Sequence, residues 1–236
     1  MTGTLFLIPN TLGESQLSGV IPTDVSVVAS SIKHFIAEDE RTVRRYLKKL
    51  NREIVIDELT FFILNKHTRS EEINTFITPL LNGFNMGLVS EAGCPGIADP
   101  GAVIVSLAHE KNIRVAPMVG PSSILLAMMA SGFNGQNFAF NGYLPVKNPE
   151  RDKKIKELER KAVVENQSQI FMETPYRNLK FLEEILSVCN SETLLFIGCD
   201  LTLPTEFLRT DTVSFWRKNM PDIHNRPVIF ILGKKQ

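Results

Sequence analysis

The apolar residues fall in short runs separated by polar, turn-rich segments. The first run, TLFLIP at residues 4–9, suits a buried strand and leads into a polar loop over residues 10–18 that contains Gly13. Residues 25–29 are short and β-branched and read as a second strand; residues 33–35 open another before Ala37. In ERTVRRYLKKL, residues 40–50, the apolar positions Val43, Tyr46, Leu47 and Leu50 recur at helical spacing. Residues 53–59 suit either a pairing segment or a loop, and residues 61–64 a strand. Ser70, Glu71 and Glu72 open a helix with Ile73, Phe76, Ile77 and Leu80 on one face, ended by Gly83.

The stretch MGLVSEAGCPGIADPG, residues 86–101, organises the rest. Residues 86–89 form an apolar strand, the Gly/Pro-rich segment after it is an irregular loop, and residues 102–110 have helical composition. Glycine admits close backbone approach to a ligand and proline stiffens the path. In open α/β sheets, ligands bind beyond the carboxyl ends of strands, where such loops lie. A strand over residues 113–119 follows, then PMVGPSS and the apolar helix ILLAMMASG, which stops at Gly132. Ser122 or Ser123 can cap that helix, and its N-terminus suits a ligand carboxylate or ribose hydroxyl equally well.

Strand and helix alternate up to this point, which predicts a parallel sheet with crossover helices. Beyond residue 133 strands predominate: residues 138–143, 169–173, 193–199, 213–215 and 228–232, with helices over 151–161 and 179–186. The expected fold is α/β with two domains, residues 1–118 and 119–236, the second richer in strands.

Composition narrows the picture. The 236 residues carry zero net charge, which argues against a large electrostatic footprint for nucleic acid. Two segments are locally basic. Residues 33–52 hold seven Lys/Arg against three Asp/Glu, and residues 147–161 hold seven against four; each reads first as a solvated helix face. No apolar run reaches the roughly 18 residues of a membrane span. The N-terminus lacks a basic n-region, and Cys94, Cys189 and Cys199 form no CxxC, so a reduced cytoplasmic protein is expected. No GxGxxG, Walker loop, HExxH or G-x-S-x-G occurs, and His34, His67, His109 and His224 are isolated, so no metal is expected.

Six segments in register resemble one family. SEAGCPGIADPG resembles the SDAGTPGISDPG loop of the bacterial small-subunit rRNA (cytidine-2′-O-)-methyltransferases, members of the tetrapyrrole methylase superfamily that uses S-adenosylmethionine (SAM). Residues 37–42, AEDERT, resemble AEDTR; Gly120-Pro121-Ser122-Ser123 with Ser131-Gly132 resembles GPSA…SG; residues 140–147 resemble FxGFLPxK, with Arg151 at the family spacing; Met172-Glu173-Thr174-Pro175-Tyr176-Arg177 resembles YESPHR; and Asp200-Leu201-Thr202 with Glu206 resembles RELTK…E. The similarity covers residues 4–232.

The resemblance implies two α/β domains with SAM in the cleft between them, a homodimer, and methyl transfer to a ribose 2′-hydroxyl of ribosomal RNA. It implies SAM contacts at Thr11, Leu12 and Gly13, at Ala92, Gly93, Cys94 and Ile97, at Ser122 and Ser123, and at Glu173, Leu201 and Pro227. A ribose hydroxyl must lose its proton, so a general base helps; Glu38, Asp39, Glu91, Asp99 and Lys147 are the candidates. Arg41, Lys147, Arg151 and Arg177 are the basic residues expected near RNA phosphate. The chain departs from the family at TPIGN, here Asn10-Thr11-Leu12-Gly13-Glu14, and at HEHNE, here Asn65-Lys66-His67-Thr68-Arg69. A small-molecule, tetrapyrrole-like methylase and a SAM-binding module without turnover are the alternative readings.

Overall fold

The structure, a computed structural model, describes residues 1–65 and 67–235. Lys66, within the altered 65–69 segment, lies outside the described residues. The backbone divides into two compact units, Met1–Ser122 and Ser123–Gln236.

The first unit runs β1 (Thr4–Ile8), α1 (Leu17–Val20), α2 (Thr23–Ser31), β2 (His34–Ala37), α3 (Glu40–Leu50), β3 (Thr60–Ile63), α4 (Ser70–Phe76), α5 (Thr78–Leu81), β4 (Met86–Val89), α6 (Ala102–Glu110) and β5 (Arg114–Pro117). Its sheet has the order β3-β2-β4-β1-β5, and each pairing is parallel. Helices cover both faces, as parallel sheets require. One face packs Leu5, Ile36, Met86 and Leu88 against Ile77, Leu80, Ile104 and Leu107. The other packs Ile8, Phe35, Ala37 and Val89 against Val25, Ala29, Val43 and Leu47. Neighbours such as Phe35 and Ile36 point to opposite faces, so the strands are continuously apolar.

Two expectations need correction in this unit. Residues 25–29 lie inside helix α2, not in a strand. Val25 and Ala29 are four apart and fully buried, so one helical face meets the sheet, and this packing overrides the β preference of the valines. The helix expected from Ser70 onward is two helices, α4 and α5, broken at Ile77, two residues before Pro79. Residues 53–59 form a loop with one 3₁₀ turn, Ile56–Glu58.

The second unit runs α7 (Ser123–Ser131), β6 (Phe138–Tyr143), α8 (Glu150–Val164), β7 (Ser168–Met172), α9 (Asn178–Val188), β8 (Leu194–Cys199), β9 (Phe207–Thr212), α10 (Val213–Lys218) and β10 (Val228–Gly233). Its sheet has the order β6-β7-β10-β8-β9, with β6 and β7 parallel and the other neighbours antiparallel. Phe181 meets the rings of Phe171 and Phe230 edge-on at 5.9 and 5.6 Å in the core. Here too a strand expectation is corrected: residues 213–215 start α10, with Thr212 as N-cap accepting from Phe215 N at 3.1 Å. The strand is the preceding FLRTDT. It lies at the sheet edge, where one side is solvated and polar residues suffice. Among the described residues no helix is long and apolar enough to cross a membrane.

Candidate active site

Because the first sheet is parallel and in register, the chain leaves β1, β2, β4 and β5 at one edge. Two of these exits are fastened together. Asn10 and Gly93 exchange backbone hydrogen bonds, Asn10 N to Gly93 O at 2.9 Å and Gly93 N to Asn10 O at 3.2 Å. The Asn10 side chain, in a residue 4% exposed, donates to Ser90 O at 3.1 Å and Glu91 O at 2.9 Å and accepts from Thr11 N at 2.8 Å. Tyr46 of α3 donates its hydroxyl to Pro9 O at 2.5 Å.

The loop after β4 holds its own shape. The Asp99 carboxylate accepts from Gly96 N at 2.9 and 3.0 Å and from Gly101 N at 2.6 Å. The Cys94 thiol donates to Pro121 O at 3.4 Å, so the exit of β5 is drawn in as well. Gly93 has φ +70, and a Cβ there would meet Leu12 Cδ2 at 3.3 Å; at Gly120 a Cβ would lie 2.1 Å from Pro9 Cβ. Both positions need glycine, one for its backbone angle and one for close approach.

Against these joined loops lies a cavity of about 230 Å³, lined by Thr11, Leu12, Gly13, Glu91 and Ala92 from the loops and by Thr42, Arg45, Tyr46 and Lys49 from α3. A complete small-molecule site usually takes roughly 300–1,000 Å³, so this cavity by itself falls short of one. Of the residues expected at the cofactor, Thr11, Leu12, Gly13 and Ala92 line the cavity, while Gly93 and Cys94 form the loop behind Ala92. Ile97 is 54% exposed, further along that loop. Ser122 ends the first unit and Ser123 begins α7.

In the second unit the expected residues gather at one sheet edge: Glu173 after β7, Leu201 after β8 and Pro227 before β10. Asp200 N donates to Pro227 O at 3.0 Å. Asp200 and Thr202, on either side of Leu201, both have left-handed backbone, φ 51 and 71. Such strained positions concentrate at functional sites. The Glu173 carboxylate is occupied: it accepts from Thr174 N at 2.7 Å and from Arg177 at 2.7 Å, and Arg151 lies 3.5 Å away. Contact with a ligand there would have to use backbone.

The five base candidates separate. Asp39 is the N-cap of α3, accepting from Thr42 N at 2.7 Å, and bonds from Thr42 hold its carboxyl below the usual range. Asp99 is committed to the loop amides, while burial pushes its carboxyl up. Lys147 is exposed in the second unit and Glu91 is exposed in the first. Glu38, at the exit of β2, is half-buried, and no donor among the described residues reaches its carboxylate. Burial, then the charges of Glu91 and Asp99, push its carboxyl up.

The expected phosphate contacts separate too. Arg41 and Lys147 are exposed and carry no ion pair among the described residues. Arg151, 4% exposed, donates to Glu184 Oε2 at 2.6 Å and Pro145 O at 2.6 Å. Arg177 bonds Glu173 and stacks over Tyr176 at 5.2 Å. Arg151 serves the second unit's interior, whereas Arg177 is only half-buried. Sequence reasoning missed Asn10, Tyr46, Arg45 and Lys49; the last two carried one readable signal, the four-residue steps from Arg41 to Arg45 to Lys49.

No family model matches the chain. A ribosomal RNA small subunit methyltransferase I from Synechocystis sp. is 30% identical over 215 residues, which cover 91% of this chain and 70% of that protein. The chain belongs to the ribosomal RNA small subunit methyltransferase I family. The Vibrio cholerae protein of the same name is 29% identical over 205 residues, covering 87% of this chain and 67% of the relative. Across the first four such relatives the chain spans 62–70% of their own length. In fold, the chain is similar to the solved methyltransferase CobJ, with a TM-score of 0.66 at 15% identity over 99% of this chain and 95% of CobJ. Among the described residues no group of His, Cys, Asp or Glu is arranged to hold a metal.

Proposed function

We propose that this member of the family is a SAM-dependent methyltransferase that methylates a ribose 2′-hydroxyl of ribosomal RNA. The observation that carries the reading is the fastening of the first and central loops by Asn10 and Gly93 beside a polar cavity. It gives a preorganised rim at the edge of the sheet where α/β proteins bind ligands. Thr11, Gly13 and Ala92 would hold the cofactor there, mainly through backbone. The bound cofactor supplies a methyl group already activated on a positively charged sulfur. What remains for the chain is alignment, which can supply much of a displacement's acceleration, and removal of one proton.

Glu38 takes the proton. It is the one candidate of the five that combines partial burial, proximity to the joined loops and a carboxylate free of hydrogen bonds from the described residues. Burial, then the nearby charges of Glu91 and Asp99, raises its proton affinity, which makes it the better proton acceptor. The proton of the acceptor hydroxyl would pass to the Glu38 carboxylate as its oxygen takes the methyl group that the bound cofactor supplies.

The test uses purified protein, SAM with a labelled methyl group, and small-subunit rRNA from cells lacking the gene. Label is expected in one 2′-O-methylnucleoside by mass spectrometry. Label in a small acceptor alone, or in nothing while SAM binds, overturns the assignment.

A further inference from the structure

Helix α3 has two sharply different sides. Val43, Tyr46 and Leu47 are buried against the sheet. Arg44 is neutralised by Glu40 at 2.8 Å and Asp57 at 3.0 Å. On the solvent side, Arg41, Arg45, Lys48 and Lys49 are exposed. At 3.6 residues per turn, Arg41, Arg45 and Lys48 lie within about 60° of the circumference, and Lys49 widens the arc to about 100°. Arg41 and Arg45 make no hydrogen bond or ion pair among the described residues. Lys48 donates only to Arg52 O at 2.9 Å and keeps its charge unopposed. Lys49 reaches Ser15 O at 3.0 Å, and its one carboxylate neighbour, Glu14 at 3.6 Å, has a fully exposed side chain. Asp39 caps the helix and feels the charges of Arg45 and Arg41 without pairing with either, and Glu14 and Glu91 line the cavity at the far end.

Helix α8 is the contrast. It comes from the other basic segment, with nearly the same charge count. Lys154 and Lys161 both pair with Glu157, at 3.1 and 2.7 Å, Arg160 pairs with Glu165 at 2.7 Å, and Arg151 is buried. Its cations are largely cancelled within the fold. Those on α3 run about 12 Å along the helix and end at the cavity, which Arg45 and Lys49 help to line.

We propose that the solvent face of α3 is the phosphate track of the acceptor RNA. Arg41, Arg45 and Lys48 contact backbone phosphates and lead the strand to the cavity. The proposal rests on the RNA reading above and adds where the strand is held. Aligned cations of which Arg41, Arg45 and Lys48 hold no ion pair among the described residues suit a polyanion, because binding releases the counterions condensed on it.

The test compares binding of a small-subunit rRNA transcript across a salt series by filter retention. Arg41→Gln/Arg45→Gln/Lys48→Gln is expected to weaken binding about tenfold or more at low salt and to reduce the slope of log K against log salt by about 2, at roughly 0.7 for each phosphate no longer neutralised. Arg41→Gln/Lys48→Gln, neither of which lines the cavity, is expected to keep wild-type SAM affinity and to reduce the slope by about 1.4. Lys153→Gln/Lys156→Gln/Lys180→Gln removes the same charge from α8 and α9 and is expected to bind like wild type. An α3 triple variant with wild-type affinity and slope, or an equal weakening in the α8/α9 variant, overturns the track. Wild-type protein that neither binds nor methylates the transcript overturns the RNA reading itself, and the track with it.

Discussion

Glu38 and Glu173 occupy equivalent places in the two units. Each is the residue that follows a strand, β2 in the first and β7 in the second. Their surroundings are opposite. Glu173 is 5% exposed and meets two arginines, Arg177 at 2.7 Å and Arg151 at 3.5 Å. Glu38 is half-buried and faces two further carboxylates, Glu91 and Asp99. Burial with opposite charges fixes a carboxylate as part of the scaffold, whereas burial beside like charges leaves it ready to accept a proton. Residue type and position are the same, so what the chain brings alongside decides the duty.

The largest effect expected from this contrast is on the stability of the second unit. Glu173→Ala leaves Arg177 and the Arg151 guanidinium without a shared acceptor, and the Arg151 side chain is only 5% exposed. Removing one partner of a buried pair typically destabilises by roughly 3–5 kcal/mol. Arg151 retains Glu184 at 2.6 Å, which places the expectation at the low end, about 3 kcal/mol. Urea unfolding measures it. A midpoint unchanged from wild type would show that Glu173 is not scaffold and would dissolve the contrast.

Glu38→Gln should do the reverse. Removing a general base lowers kcat by roughly 10²–10⁴-fold, while stability holds. The sign follows from linkage. The folded-state proton affinity of Glu38 is raised, so its ionisation opposes folding, and its contribution to stability declines as pH rises from the ordinary carboxylate value through the folded one. At neutral pH the neutral glutamine therefore relieves the fold. The wild-type rate should climb with pH along a limb displaced above the usual glutamate range, and the variant should lose that limb. Retention of the limb in Glu38→Gln would move the base elsewhere and leave Glu38 a bystander.

How far these duties were legible depended on distance along the chain. The loop at residues 86–101 declared itself through glycine, proline and the apolar runs on both sides, all local signals, and β4 and α6 fall where those signals place them. The valines of α2 misled because local β preference loses to a face buried four residues apart. The β9 strand was hidden because an edge strand needs little apolar character. Arg151 looked like a phosphate contact until Glu184, 33 residues away, closed on it. Asn10 was unreadable for the same reason: the carbonyls it bonds lie 80 and 81 positions on.

The smallest expected effect sharpens the contrast by adding a third carboxylate. Asp39 is adjacent to Glu38 in sequence, yet it points to a helix terminus and takes the Thr42 amide at 2.7 Å. Bonds from Thr42, then the charges of Arg45 and Arg41, hold its carboxyl below 3.8, the ordinary value. For a depressed carboxyl the stabilisation is present above the unfolded value and drains away as pH falls through the folded one. Asp39→Ala should therefore cost about 1 kcal/mol at neutral pH, typical of removing an N-cap, and less at the acid end, where the share due to the charge is gone and only the neutral carboxyl's hydrogen bond to Thr42 N remains. Asp39→Asn should retain most of the cap, because asparagine serves nearly as well at that position. Urea midpoints of the three proteins at neutral and acid pH read this directly. A difference between wild type and Asp39→Ala that persists unchanged in acid would mean that the carboxylate's charge contributes nothing, and adjacent acids in this turn would no longer divide between cap and base.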